Sequence, residues 1–169
     1  TDAIQSINIQ SGIFCLMKDR FQDIIWVGAD GQGIYMYFTD EFSIENVLLD
    51  VPEYRVNNPV RALFLDHEQT LWIGTKGGGI LRMMDFHPDR ETLPQAERIL
   101  ANNSALMDNS VYSFAPGRRN SLWIGTEDGL NYYSYLTRRI EEFPVIADGK
   151  KVKYVHSICE TNDSTLSVS

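Results

Sequence analysis

Side chains able to do covalent or metal chemistry are few in this 169-residue chain, and their spacing does not suit it. His67, His87 and His156 are scattered, with no His-Glu-x-x-His or other metal-type pattern. Cys15 and Cys159 form no Cys-x-x-Cys pair. Gly28-x-x-Gly31-x-Gly33 has the glycines of a nucleotide loop, but it runs into the strand-like Ile34 to Tyr37 and opens no helix, so nothing cradles a phosphate. Gly77-Gly78-Gly79 fails in the same way. Asp30-Gly31 and Asp128-Gly129 read as hairpin turns rather than ion loops, and there is no Gly-x-Ser-x-Gly. The residues therefore point away from catalysis and imply no cofactor and no metal. Recognition chemistry is better represented. Arg61, Tyr112 and His156, with Asn57, Asn58 and Asn109 close by, offer aromatic faces that stack on sugar rings and donors that reach hydroxyls or uronate carboxylates. They act together only if the fold gathers them.

The elements that would do so repeat. Ile25-Trp26-Val27-Gly28-Ala29, Leu71-Trp72-Ile73-Gly74-Thr75 and Leu122-Trp123-Ile124-Gly125-Thr126 hold all three tryptophans, spaced 46 residues (26 to 72) and 51 residues (72 to 123) apart. Each is followed by a glycine turn and an apolar run, and each is preceded by one: Ile13 to Met17, Val60 to Leu65 and Val111 to Ala115. A fourth copy opens at Val155-His156-Ser157-Ile158-Cys159 and reaches Leu166 to Ser169, with Ser167 in the tryptophan's place. Runs rich in Ile, Val, Tyr and Trp between Gly, Asp and Asn read as strands. A fourth strand per repeat is expected in Phe42 to Leu49, Glu97 to Leu100 and Arg138 to Phe143; the best helical candidate, Leu93 to Leu100, is short and begins beside Pro94. Four strands in about 40–50 residues make one propeller blade. The fold class expected is all-β: a propeller segment of about three and a half four-stranded blades, part of a ring of about seven. The divisions are 1–12 (the end of a preceding blade), 13–50, 51–100, 101–143 and 144–169 (the start of a fourth).

A repeated tryptophan supplies a large rigid surface for packing between blades, so Trp26, Trp72 and Trp123 are expected to be structural. Gly28, Gly74 and Gly125 would let a neighbouring backbone come close.

These motifs resemble the two-component-regulator propeller repeat, whose pattern is an apolar strand ending near Asp, Leu-Trp-Ile-Gly-Thr, a Gly-Gly-Leu turn and a strand ending near Tyr-Asp. Val60 to Asp85 follows it most closely, with Asp66 at the turn; Val111 to Tyr135 follows it with Gly117 in place of the acid; Ile13 to Phe38 has Val27 and Ala29 for Ile and Thr. The resemblance implies the periplasmic sensor region of a membrane-bound hybrid histidine kinase of the Bacteroidetes type, detecting oligosaccharides, with kinase activity elsewhere in the parent. It implies that this segment itself is not an enzyme.

If the Val60-type strand is innermost, the loops leading into it share one face with the hairpins at Asp30 to Gly33, Lys76 to Gly79 and Glu127 to Gly129. Those loops are Asp50 to Pro59, Ala101 to Ser110 and Pro144 to Tyr154. The second residue of that strand is Phe14, Arg61, Tyr112 and His156 in turn, between more uniform neighbours. Arg61, Tyr112 and His156, with Asn57, Asn58 and Asn109, are thus expected at the mouth of a central channel.

A formal charge of 15 − 23 = −8 without a strong basic cluster argues against nucleic acid. There is no run of 18 apolar residues, so no membrane segment is expected in this chain. A start at Thr1 and a stop inside a repeat suggest a piece of a longer protein. Two open edges would be closed by the rest of the parent or by a second copy, as a homodimer. A Cys15–Cys159 disulfide requires their strands to meet. The competing reading is a protein-interaction scaffold with no small-molecule ligand; a propeller lyase is disfavoured because no acid–base pair recurs.

Overall fold

The computed structural model describes residues 6–47, 52, 55–87, 95–162 and 165–169. They form an all-β propeller segment of three four-stranded antiparallel sheets and the first two strands of a fourth. The first sheet is β1 (Ile13–Lys18), β2 (Ile24–Ala29), β3 (Ile34–Phe38) and β4 (Ser43–Asn46). The second is β5 (Val60–Leu65), β6 (Thr70–Thr75), β7 (Ile80–Met84) and β8 (Gln95–Ile99). The third is β9 (Val111–Gly117), β10 (Ser121–Thr126), β11 (Gly129–Ser134) and β12 (Arg139–Phe143). Within each sheet the strands pair in sequence order, as an up-and-down meander. A small hairpin, β13 (Ile146–Ala147) and β14 (Lys150–Lys151), precedes the paired β15 (Ile158–Glu160) and β16 (Leu166–Val168).

The tryptophan strand is central in each blade because it is apolar on both faces. β6 is buried along its whole length, so its two faces serve two different cores. One core, between the first and second sheets, gathers Trp26, Ile34 and Met36 against Leu71, Ile73 and Met83. The next sets Trp72 and Ile80 against Leu122, Ile124, Tyr133 and Tyr135. Removing such apolar surface from water, at about 25 cal/mol per Å², is what holds successive sheets together. β1 lies beside β5, β5 beside β9 and β9 beside β15, so the first strand of each blade is where the blades converge.

The glycine after each tryptophan permits that convergence. A Cβ at Gly28 would stand 2.7 Å from Val60 Cγ1, at Gly74 2.8 Å from Val111 Cγ1, and at Gly125 2.4 Å from the Val155 carbonyl oxygen. The first valine of each inner strand seats on the glycine of the blade before it.

The outer strands differ most from expectation. The second sheet's fourth strand is Gln95–Ile99, against the expected Glu97 to Leu100, and those residues of the weak helical candidate Leu93 to Leu100 that are described are not helical; Leu93 and Pro94 lie outside the described residues. β4 stops at Asn46, and the expected continuation through Leu48 and Leu49 also lies outside them. The turn expected at Thr161 to Ser164 includes undescribed positions 163 and 164. The β13–β14 hairpin was not expected; Asp148 and Gly149 both take positive φ (51° and 73°), as a tight hairpin turn needs. Cys15 and Cys159 are both free thiols. No described helix is long and apolar enough to cross a membrane.

Candidate functional site

Each inner strand carries a local irregularity at its second residue. In the first sheet Ile13 pairs with Ala29 and Cys15 with Gly28, leaving Phe14 unopposed. In the second, Val60 pairs with Thr75 and Ala62 with Gly74, leaving Arg61. In the third, Val111 pairs with Thr126 and Ser113 with Gly125, leaving Tyr112. The start of the fourth repeats the device: the amides of His156 (2.7 Å) and Ser157 (3.1 Å) both donate to the Ser169 carbonyl. A bulge puts two residues opposite one and re-aims the extra side chain out of the pleat. Phe14, Arg61, Tyr112 and His156 therefore form one row of bulged residues.

Their side chains meet in neighbouring pairs. The Arg61 guanidinium lies over the Phe14 ring, 3.8 Å from its centroid. Tyr112 and His156 stack, with centroids 4.5 Å apart and planes at 27°. The Tyr112 hydroxyl donates to Glu127 Oε2 at 2.8 Å; burial first, and then this carboxylate, push it above the ordinary phenol range. Arg61 Nε is buried with no acceptor within hydrogen-bond reach among the described residues. Such a donor is costly unless something accepts from it.

One position further along, the side chain binds the next blade instead. Ser113 Oγ donates to the Val155 carbonyl at 2.8 Å, and Cys15 Sγ approaches the Val60 carbonyl at 3.7 Å. Burial is the leading cause that pushes the Cys15 thiol up to about 11, outweighing its contact with the Gly28 backbone and the nearby Arg61.

The loops around the row are tied to one another through backbone. The Lys76 amide donates to Pro59 O and the Glu127 amide to Ser110 O, each hairpin thus bonding its own blade's incoming loop. The next blade's loop is held too: Gly77 and Gly79 donate to Asn109 O (3.1 and 2.8 Å), and Tyr154 donates to Glu127 O (2.8 Å). The asparagines are largely engaged in this work. Asn58 Nδ2 donates to Lys76 O (3.1 Å) and Asn109 Oδ1 accepts from the Ala101 amide (2.8 Å). The Asn57 carbonyl lies 3.1 Å from where a Cβ on Gly31 would stand. Lys151 and Lys153 reach Asp128 at 3.0 and 2.7 Å, fastening the β13–β14 hairpin to the Glu127 to Gly129 turn. Lys153, then Lys151, hold the Asp128 carboxyl below the usual range. The structure thus brings Arg61, Tyr112 and His156 into one row and gives Asn58 and Asn109 tethering bonds at its edge.

At the other end of the inner strands, an acidic residue clasps each tryptophan. Trp26 Nε1 donates to Asp19 Oδ2 (2.9 Å) and Trp72 Nε1 to Asp66 Oδ2 (2.8 Å). Gly117 occupies that place in the third blade, and the acid comes from the next sheet: Trp123 Nε1 donates to Glu160 Oε2 at 2.8 Å. Trp26 and Trp72 are both 1% exposed. Trp123 is only half-buried, in a groove of about 600 Å³ with Tyr132, Phe143 and Leu166. The sequence pattern located Asp66 but gave no sign that Glu160 substitutes across the blade boundary. Among the described residues no group of three or more His, Cys, Asp or Glu could hold a metal.

A family described as the two component regulator propeller matches residues 55–77 and 105–128. Histidine kinase P4 of Formosa agariphila is 27% identical over 163 residues, covering 94% of this chain and 12% of that protein. Among solved structures, one described as the extracellular domain of a hybrid two component system, BT3049 from B. thetaiotaomicron, superposes with a TM-score of 0.73 at 18% identity. It covers 99% of this chain and 22% of its own. The RRP9 WD40 repeats superpose at 0.56 with 13% identity, covering 80% of this chain and 39% of theirs. The chain thus spans about an eighth of the curated relative and under a quarter of the BT3049 domain. At these identities the structural likeness shows the fold: a propeller.

Proposed function

We propose that this chain, a run of two-component regulator propeller repeats, is the extracytoplasmic ligand-sensing segment of a hybrid histidine kinase, and that it detects oligosaccharides. It is non-catalytic; the kinase lies elsewhere in a parent anchored in the inner membrane, with the propeller in the periplasm. The observation that carries the reading is the bulge row. Four consecutive inner strands present Phe14, Arg61, Tyr112 and His156 out of the pleat, and Arg61 keeps a buried donor without an acceptor among the described residues. Aromatic faces and a guanidinium suit a sugar ring bearing hydroxyls or a carboxylate. Sugar bound there would touch neighbouring blades together and bias their relative placement, and a signal needs such a difference between two states.

The outward faces at both ends fit a longer propeller. Ile13 and Leu16 are 51% and 65% exposed on β1, and Trp123 and Phe143 line the groove on the third sheet. Further blades of the parent, or a second copy in a homodimer, would cover them. The test is titration calorimetry with oligosaccharides released from neutral and from uronate-bearing polysaccharides. Binding that Arg61→Ala and Tyr112→Ala each weaken at least tenfold supports the reading. Unchanged affinity in both variants removes the row from recognition, and capture of a polypeptide with no glycan bound would favour an interaction scaffold.

A further inference from the structure

The outward face of the third blade is open where it is most aromatic. Directly opposite residues of an antiparallel pair share a face, as do residues two apart on one strand. Trp123 pairs with Tyr132, and Leu130, two before Tyr132, pairs with Phe143. Trp123, Tyr132 and Phe143 therefore stand on one face, with the Trp123 ring 5.9 Å from Tyr132 and 5.0 Å from Phe143, centroid to centroid. They border a groove of about 600 Å³ that Glu160 and Leu166 also line.

The chain holds two finished copies of this interface. Trp26 and Trp72 occupy the same place in their blades and are each 1% exposed. Tyr133, opposite Leu122 in the third blade's ladder, meets Trp72 edge to face at 4.8 Å. In the core around Trp26, Met83, opposite Leu71, fills that place. Ile99 has the position of Phe143 in the second blade and is 5% exposed, whereas Phe143 is 40% exposed. In both finished interfaces the covering residue belongs to the third strand of the following blade. In the fourth blade Leu166 takes the place of Leu71 and Leu122, but among the described residues β16 has a neighbour on one edge alone, β15. Ser157 and Ser169 exchange both ladder bonds, and Thr161 donates to Thr165 O. Counting by twos between these pairs, Ser167 bonds toward β15, and the amides of Leu166 and Val168 point to the open edge. An unpaired edge beside an uncovered apolar face is a place for one more strand.

We infer that the β16 edge and the Trp123 groove together receive the third strand of the fourth blade, from the parent chain downstream of residue 169, and that this strand sets a large apolar or aromatic side chain on Trp123. The inference rests on the reading of the chain as part of a longer propeller. Spacing fixes the residue concerned: Met83 follows Leu71 by 12 residues and Tyr133 follows Leu122 by 11, so it is the eleventh or twelfth after Leu166. A second copy fits worse. Its third strands β3, β7 and β11 are already paired on both edges, and its outer strands carry charges, Glu97 and Arg98 on β8 and Glu141 and Glu142 on β12.

The experiment compares the 169-residue chain with the same chain lengthened in its own reading frame to the end of the fourth blade. Acrylamide quenching of tryptophan fluorescence reads the groove, and Trp123→Phe versions of both chains identify the emission that belongs to Trp123. In the 169-residue chain Trp123 should supply the quenchable component, because Trp26 and Trp72 are buried. In the lengthened chain that component is expected to be lost. Amide hydrogen exchange gives a second reading: the Leu166 and Val168 amides should exchange freely in the shorter chain and be protected in the longer one. Replacing the residue opposite Leu166 by serine should restore quenching and leave that protection, since it removes the side chain and keeps the strand. Unchanged quenching, unprotected amides, or polar residues at both the eleventh and twelfth places would overturn the inference. A 169-residue chain that sediments as a dimer with Trp123 already unquenchable would give the groove to a second copy and overturn it too. None of these outcomes touches oligosaccharide recognition by the bulge row, whereas a frame that stops before the third strand would end both this inference and the longer parent.

Discussion

Replacing Asp66 by asparagine tests whether one carboxylate joins two blades. Asp66 is 1% exposed. Its Oδ1 accepts from the amides of Glu68 (2.9 Å) and Thr70 (2.8 Å), and its Oδ2 accepts from Trp72 Nε1 (2.8 Å) and the Tyr135 hydroxyl (3.0 Å). Tyr135 belongs to the next blade, and burial, then the Asp66 charge, drive its pKa far above the phenol range. An asparagine has one accepting oxygen, so either orientation turns an NH₂ toward two donors. The tyrosine hydroxyl can rotate to accept, but the indole N–H can only donate. One buried donor is then orphaned at about 1–3 kcal/mol, and the remaining bonds lose their charge assistance. Asp66→Asn is therefore expected to destabilise by about 3 kcal/mol, and Tyr135→Phe, which breaks one bond, by about 1 kcal/mol. In the Asp66→Asn background the hydroxyl keeps only an uncharged bond to the amide, so Tyr135→Phe should cost less there than in the unaltered protein, a coupling of about 0.5–1 kcal/mol. Urea unfolding followed by tryptophan fluorescence reads this directly. With a slope of about 2 kcal/mol per molar, the Asp66→Asn midpoint falls by about 1.5 M. A fall below about 0.3 M at unchanged slope, or additive single and double variants, would refute the clasp.

Three further outcomes follow from the same geometry. Gly74→Ala places a Cβ 2.8 Å from Val111 Cγ1 and 3.0 Å from Phe114 Cε2, an overpacking of about 1–3 kcal/mol that thermal unfolding should register and Val111→Ala should partly relieve. With Ellman's reagent at pH 8, the exposed Cys159 should react at once and Cys15 slowly, since its thiol is pushed up to about 11; Cys15→Ser should abolish the slow phase alone. Glu160 is held below the usual carboxylate range, chiefly by the Trp123 indole and then by the Arg118 amide. A depressed folded pKa means its stabilisation is present above the ordinary glutamate value and lost as pH falls through the lower folded value. Trp123 fluorescence should change in that acidic window, and Glu160→Gln should remove the step.

The inner three strands of each blade were legible because tryptophan, glycine and valine recur at nearly constant spacing, each fixed by contact with the adjacent blade. The fourth strands were blurred because they sit at the rim. β8 begins at the exposed Gln95, two residues before the expected Glu97 to Leu100, because no apolar pattern marks its start, whereas β12 lies within one residue of the expected Arg138 to Phe143. The variable row at Phe14, Arg61, Tyr112 and His156 was visible as a position, but its cause was not. A bulge adds a residue without any compositional mark, and only pairing reveals it. Asp148-Gly149 was a readable hairpin signal, lost inside what passed for a long loop. Glu160 was beyond reach of pattern, since it sits one position before the acid's place in its own repeat and serves the tryptophan of the blade before it.

The most direct test of the sensor reading is the sequence of the reading frame on both sides of residues 1–169. The account predicts more Trp-Ile-Gly-Thr repeats, then a single membrane span and a histidine kinase. A frame that closes after a few more blades, with neither span nor kinase, would contradict it.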